Sequence, residues 1–218
     1  MEGSRDEAMR QTLIADIECM EWDMFSSVNN IGGKADCQND RDQFSVMREA
    51  SYATWTSEML ESYKDDLERA ASQGVNLMSE KYARMMEVTM PGAIDMPPLP
   101  DARRALMDEA MGIVMPWEEE LYERYALLRH RARSLTQASE DGSAISGTAF
   151  DTYLYGELSI YSERTLRLYV EHLRMQRAAG TNGSMAVYDR MARLQGWASF
   201  DAADKDFRKR MTEENHAG

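Results

Sequence analysis

Met9-Arg-Gln-Thr-Leu13-Ile14-Ala-Asp-Ile17-Glu18-Cys19-Met20-Glu21-Trp22-Asp-Met24-Phe25-Ser-Ser-Val28 is the stretch that decides the fold class. At ~100° per residue, Met9, Leu13, Ile17, Met20, Met24 and Val28 fall within an arc of roughly 100°, and Ile14 and Phe25 widen it on one side. That spacing is helical, and Ser4-x-x-Glu7 ahead of it has the form of a capping box. The helix is expected to end near Ser27. The same period recurs along the chain and no stretch sustains β-type alternation, so the reading is all-α: a single-domain helical bundle of about seven to eight helices over residues 1–218.

Breakers place the other boundaries. Asp40-x-x-Gln43 resembles a cap, and a second helix is expected from there to about Ser72, stopped by Gln73-Gly74. Asn76 caps a third, ended by Pro91. Residues 91–100, with Pro97, Pro98 and Pro100, form a Pro-rich connector that cannot be helical. A fourth helix starts near Asp101, and Pro116 is expected to kink it or to begin a fifth through Arg133. After a loop at Glu140–Gly147, one long helix should span Thr148–Ala179. Asn182-Gly183-Ser184 is read as a turn, and shorter helices follow at about Ser184–Gln195 and Ser199–Thr212. Residues 207–218 read as a polar, frayed tail.

Composition narrows the function classes. A chain of 218 residues that is 43% hydrophobic can bury a sizeable core. A formal net charge of -13 argues against nucleic acid as a partner, since phosphate binding needs clustered Lys and Arg. The longest apolar run, Met111–Trp117, falls far short of a membrane span, and Met1–Arg10 lacks the apolar core of a signal peptide. The expected setting is cytoplasmic, with no membrane partner and with Cys19 and Cys37 as free thiols.

Charges interrupt the apolar stripes. Glu21 lies inside the stripe of the first helix, with Glu18 at its margin. Arg48 sits among Phe44, Tyr52, Trp55, Met59 and Tyr63, and Lys81 among Leu77, Met85 and Val88. Glu157 and His172 fall within the stripe Phe150, Leu154, Leu158, Tyr161, Leu168, Met175. An unpaired buried charge costs several kcal/mol or more, so such groups must pair, bind a ligand or metal, or neutralise. Two acids, Glu21 and Glu157, balance two bases, Arg48 and Lys81, which points to one shared buried site. The plainer alternative is a salt-bridge network that only fixes helix register.

The same positions fall in segments that resemble a known group. Glu21-Trp22-x-Met24-Phe25-x-x-Val28-Asn29-x-x-Gly32-Gly33-x-Ala35-x-Cys37-Gln38-x-Asp40 is similar to the signature of the bacterial domain of unknown function 4125 family. Phe44-x-x-Met47-Arg48-x-x-x-Tyr52-x-x-Trp55, Lys81-Tyr82-Ala83-x-Met85-Met86 and Thr152-Tyr153-Leu154-x-Gly156-Glu157-Leu158-x-x-Tyr161-Ser162 extend the resemblance over most of residues 10–170. It implies a bacterial cytoplasmic protein and brings no reaction with it.

Standard catalytic motifs are missing: no GxGxxG, Walker loop, HExxH or GxSxG occurs. Gly32-Gly33-Lys34 is a tight turn. Cys37 precedes a helix N-terminus, but Asp36 and Asp40 flank it and disfavour a thiolate. His130 lies among arginines and His216 in the tail, so only His172 can reach inward. What remains is cofactor-free acid–base chemistry on a small polar or zwitterionic metabolite, of lyase, isomerase or transferase type. Glu21, Lys81, Glu157 and Tyr161 are the catalytic candidates: a carboxyl raised by burial, a lysine that loses its proton, and a phenol for a developing oxyanion. Asn29, Asn30, Gln38, Arg48 and Tyr52 are the substrate-binding candidates, Arg48 as a bidentate carboxylate clamp. A divalent metal on Glu21, Glu157 and His172 is the runner-up. The third possibility is a non-catalytic helical module that binds a ligand or a protein.

Overall fold

The structure is a computed structural model that describes residues 2–29, 33, 36–137 and 148–217. Asn30, Gly32, Lys34 and the expected 140–147 loop lie outside the described residues, as do the side chains of Cys37 and His216. Among the described residues there is no strand. The chain forms α1 (Glu2–Ser26), a 3-10 turn (Asp36–Asn39), α2 (Arg41–Tyr52), α3 (Ser57–Ser72), α4 (Leu77–Thr89) and α5 (Asp101–Arg124). α6 (Ala126–Arg131), α7 (Phe150–Ser159), α8 (Glu163–Ala178), α9 (Gly183–Leu194) and α10 (Phe200–Ala217) complete it.

The all-α architecture is as expected, but the described residues form ten helices rather than seven or eight, because two expected long helices are each broken. The first break, at Ala53–Thr56, is driven by Thr56. Its side chain caps α3 by accepting from the Met59 N–H at 3.2 Å. Arg10 on α1 takes up the loosened carbonyls, donating to Trp55 O at 2.7 Å and to Ala53 O at 3.3 Å. The second break, at Ile160–Ser162, has the same logic. Ser162 caps α8, and the buried Asp66 of α3 accepts from Ser162 N at 2.9 Å and Thr165 Oγ1 at 2.7 Å. In both places a side chain supplies the partner that a continuing helix would have supplied.

Other boundaries shift for similar reasons. Pro116 lies inside α5 without ending it. The interruption comes at Tyr125, where Asp204 of α10 accepts from Leu127 N at 2.7 Å and caps α6. Asn182 is the N-cap of α9 rather than a free turn residue, and α10 continues past Phe207 to Ala217. The break before α8 resets the phase of the wheel for Met175, while Met9 and Val88 lie towards the outer ends of the unbroken α1 and α4. Met175, Val88 and Met9, expected on buried stripes, are exposed.

The main core is built by α1, α3, α4, α5, α7 and α8 around Ile17, Leu60, Leu67, Met107, Leu158 and Leu166. A smaller cluster around Leu121, Tyr125, Leu128 and Phe200 joins the end of α5 to α6, α9 and α10.

Gly156 sets how closely α4 approaches α7. A Cβ there would lie 2.5 Å from Met85 Cγ, 3.0 Å from Met85 Sδ and 3.2 Å from the Lys81 carbonyl oxygen. Glycine costs a helix about 1 kcal/mol against alanine. Here that cost brings Lys81 and Glu157 within reach of each other. Gly156→Ala should therefore destabilise by about 1–2 kcal/mol, overpacking exceeding the gain in helix propensity. Urea unfolding would show a lower midpoint at unchanged slope; a higher midpoint would mean that Met85 yields freely.

Candidate functional site

Glu21, Arg48, Lys81 and Glu157 come from α1, α2, α4 and α7 and meet inside the main core. Glu21 is 0% exposed, Lys81 1%, and Arg48 and Glu157 9% each. Arg48 is the hinge of the cluster. Its Nη1 donates to Glu157 Oε1 at 2.8 Å, and its Nε lies 3.0 Å from Glu21 Oε2 in an ion pair without hydrogen-bond alignment. The Lys81 ammonium donates to Glu157 Oε2 and lies 3.9 Å from the centre of the Tyr153 ring. Tyr161 OH donates to Glu157 Oε1 at 3.2 Å. Glu21 Oε1 accepts from Tyr52 OH at 2.8 Å and Tyr63 OH at 2.7 Å.

Aromatic rings wall this cluster. Tyr63 and Tyr161 meet edge-on with centroids 4.9 Å apart, and Trp55 lies 5.1 Å from Tyr52 and 5.6 Å from Tyr161. Excluding water from the site magnifies every charge effect inside it. Burial holds the Tyr52, Tyr63 and Tyr161 phenols well above their ordinary pKa, so all three are fixed as donors.

The two carboxyls are pushed in opposite directions. Burial raises Glu21, and the opposing pull of Arg48 and of the two phenols does not cancel it. Burial also acts on Glu157, but Arg48 and Lys81 together outweigh it and bring Glu157 down to about 2. The expectation that Glu157 is raised is thus corrected: two cations bind its two oxygens. The expected loss of the Lys81 proton is corrected too. Burial pushes the ammonium down, yet Glu157 more than compensates and leaves it above its usual value. Lys81 is a held cation, not a free amine.

Of the substrate-binding candidates, Arg48 and Tyr52 belong to the cluster. Gln38 does not: its Nε2 donates to Phe25 O and Val28 O, both at 2.9 Å, and so ties down the C-terminal end of α1. Asn29 is exposed beyond that end. The metal triad is not assembled. Among the described residues no group of three or more His, Cys, Asp or Glu is placed to hold a metal ion. His172 is half-buried on α8, and burial lowers its pKa.

Tyr63 and Tyr153 are members that the sequence reading did not assign. Tyr63 was legible as part of the apolar face of Arg48, but its role depends on the break at Ala53–Thr56, which brings α3 alongside Glu21. Tyr153 lies one helical turn before Glu157 and carries no polar signal of its own.

Residues 11–205 are matched by the family described as "Protein of unknown function (DUF4125)". The chain belongs to the domain of unknown function 4125 family. In this member the four clustered charges all lie within the matched span. No curated protein and no solved structure matches the chain. Among the described residues no helix is long and apolar enough to cross a membrane.

Proposed function

We propose that this chain is a bacterial, cytoplasmic enzyme acting on a small polar or zwitterionic metabolite by acid–base chemistry of lyase, isomerase or transferase type, without a nucleotide cofactor. The observation that carries the proposal is the pair of carboxyls, Glu21 and Glu157, joined through Arg48 and driven apart in proton affinity. Environments that separate two acids in this way assign one as proton donor and the other as a standing anion. Glu21 is the donor, aimed by Tyr52 and Tyr63. Glu157 is the anion, with Lys81 and Tyr161 as the residues that hold it.

The edge of the cluster suits a zwitterion. The Arg48 and Glu157 side chains retain 11% and 12% exposure, against 0% and 1% for Glu21 and Lys81. A ligand bearing a carboxylate and an ammonium can exchange the single Arg48–Glu157 pair for two pairs of its own. Its reacting atom would then lie beside the Glu21 carboxyl.

A second reading is supported by the fact that each of the four charges has an internal partner. On that reading the cluster fixes the register of α1, α2, α4 and α7 and binds nothing. A melting-temperature screen against amino acids and small carboxylic acids separates the two. At a hundredfold excess over Kd a true ligand adds roughly 2.7 kcal/mol, a rise of roughly 5–10 °C for a chain of this size. The rise should vanish in Arg48→Met and Glu21→Gln. If no compound shifts the wild type, or the variants respond equally, the cluster is structural.

A further inference from the structure

Away from the charged cluster, α6, α9 and α10 enclose an open-sided cavity of about 490 Å³. Small organic ligands typically occupy cavities of ~300–1,000 Å³ lined by apolar and aromatic groups with a few polar anchors. Here the wall is aromatic: Tyr188 and Phe200 stack with centroids 5.2 Å apart, and Trp197 and Phe207 line the same space. None of the four clustered charges borders it, so this cavity is independent of the site proposed above.

The polar lining comprises His130, Gln195, Glu214 and two exposed arginines, each with its guanidinium over one of these rings. Arg210 lies 5.9 Å from the centre of Trp197, and Arg131 lies 5.7 Å from the centre of Phe207. They are not equivalent. Arg210 is ion-paired with Asp206, and Glu214 also lines the cavity. Arg131, the last residue of α6, makes no ion pair among the described residues. Arg41 over Trp22 and Arg133 over Tyr153 share that arrangement, but Arg131 is the one of the three that lines this cavity. Its geometry suits a ligand that is flat at one end and anionic at the other. The ring would pack against the aromatic wall, and the acidic group would take Arg131, by apolar contact and charge-assisted hydrogen bonding.

We propose that the α6–α9–α10 cavity binds a flat aromatic organic anion, with Arg131 as the residue that recognises its charge. Titration calorimetry on the full chain tests this with 1-naphthalenesulfonate as probe and 1-naphthylmethylammonium as its charge-reversed counterpart. The sulfonate should saturate a single site, and the ammonium should bind about tenfold more weakly or worse. Arg131→Gln should weaken the sulfonate by about tenfold, and Arg210→Gln by less because Asp206 already neutralises it. Ala203→Phe, which fills the cavity, should abolish binding; if that variant fails to fold, Arg131→Gln decides. Absence of saturable binding up to about millimolar probe, equal binding of both probes, or sulfonate affinity unchanged in Arg131→Gln would each overturn the proposal.

Discussion

Glu157→Gln should cost the fold about 3–5 kcal/mol, the range typical of removing one partner from a buried ion pair. Among the described residues Glu157 is the only carboxylate that Lys81 pairs with, and it shares Arg48 with Glu21. A neutral amide at this position leaves the Lys81 ammonium, 1% exposed, with ring faces beside it and no anion. The cation–π contact with Tyr153 recovers only about 1–2 kcal/mol. The expected outcome is a fall in melting temperature of roughly 6–20 °C. Removing both partners should be milder than removing one. In Lys81→Met/Glu157→Met no ammonium is stranded, and removing the Glu157 charge that helps to raise Glu21 favours an ionised Glu21 beside Arg48. If the double variant is less stable than Glu157→Gln alone, the pairing assigned here is wrong.

The four members of the cluster were legible in the sequence because helical phase is a local property. Each of Glu21, Arg48, Lys81 and Glu157 interrupts an apolar stripe within a few turns of its own helix, so no knowledge of the fold was needed to see it. Their mutual balance of two acids and two bases hinted that they meet. What was not legible depended on partners distant in sequence. The break before α8 is made by Asp66, 96 residues from Ser162, and the carbonyls at Ala53 and Trp55 are held by Arg10. A wheel drawn through such a break assigns the wrong face to Met175, which is exposed, whereas Leu168 still packs against the core. Gln38 was misassigned for a related reason. A polar side chain next to a glycine turn looks like a ligand-binding group, and only the folded chain shows that two free carbonyls at the end of α1 claim it.

Proton affinities were the least legible of all. Burial alone predicts that Glu21 and Glu157 both rise and that Lys81 falls. The outcome differs because α2 and α4 deliver both cations to Glu157 and only one, off-axis, to Glu21. The sequence counts the charges but not their distances, and at these separations distance decides the sign.

Those opposite signs give a measurable stability profile. Glu157 has a folded pKa of about 2 against an unfolded value of 4.5. The unfolded state therefore binds its proton first as pH falls. The stabilisation is complete above about pH 4.5 and is lost as pH drops through 4.5 towards 2, a total on the order of 3 kcal/mol. Glu21 is raised, so its contribution runs the other way: full below its unfolded pKa, and lost as pH climbs through the folded value. Glu18, half-buried and pushed up to about 7 by burial and by Glu49, adds to the same decline between about pH 4.5 and 7. Urea unfolding across pH should show an acid limb and a gentler limb towards neutral pH. Glu21→Gln should flatten the neutral limb at little cost at pH 7, because the amide resembles the protonated acid and still accepts from Tyr52 and Tyr63. Glu157→Gln should instead remove most of the acid limb, leaving the smaller share of the more exposed Asp189 and Glu109. An acid limb undiminished in Glu157→Gln would overturn the lowered Glu157, and a Glu21→Gln variant as damaging at pH 7 as Glu157→Gln would mean that Glu21 is ionised in the folded protein and cannot be the proton donor.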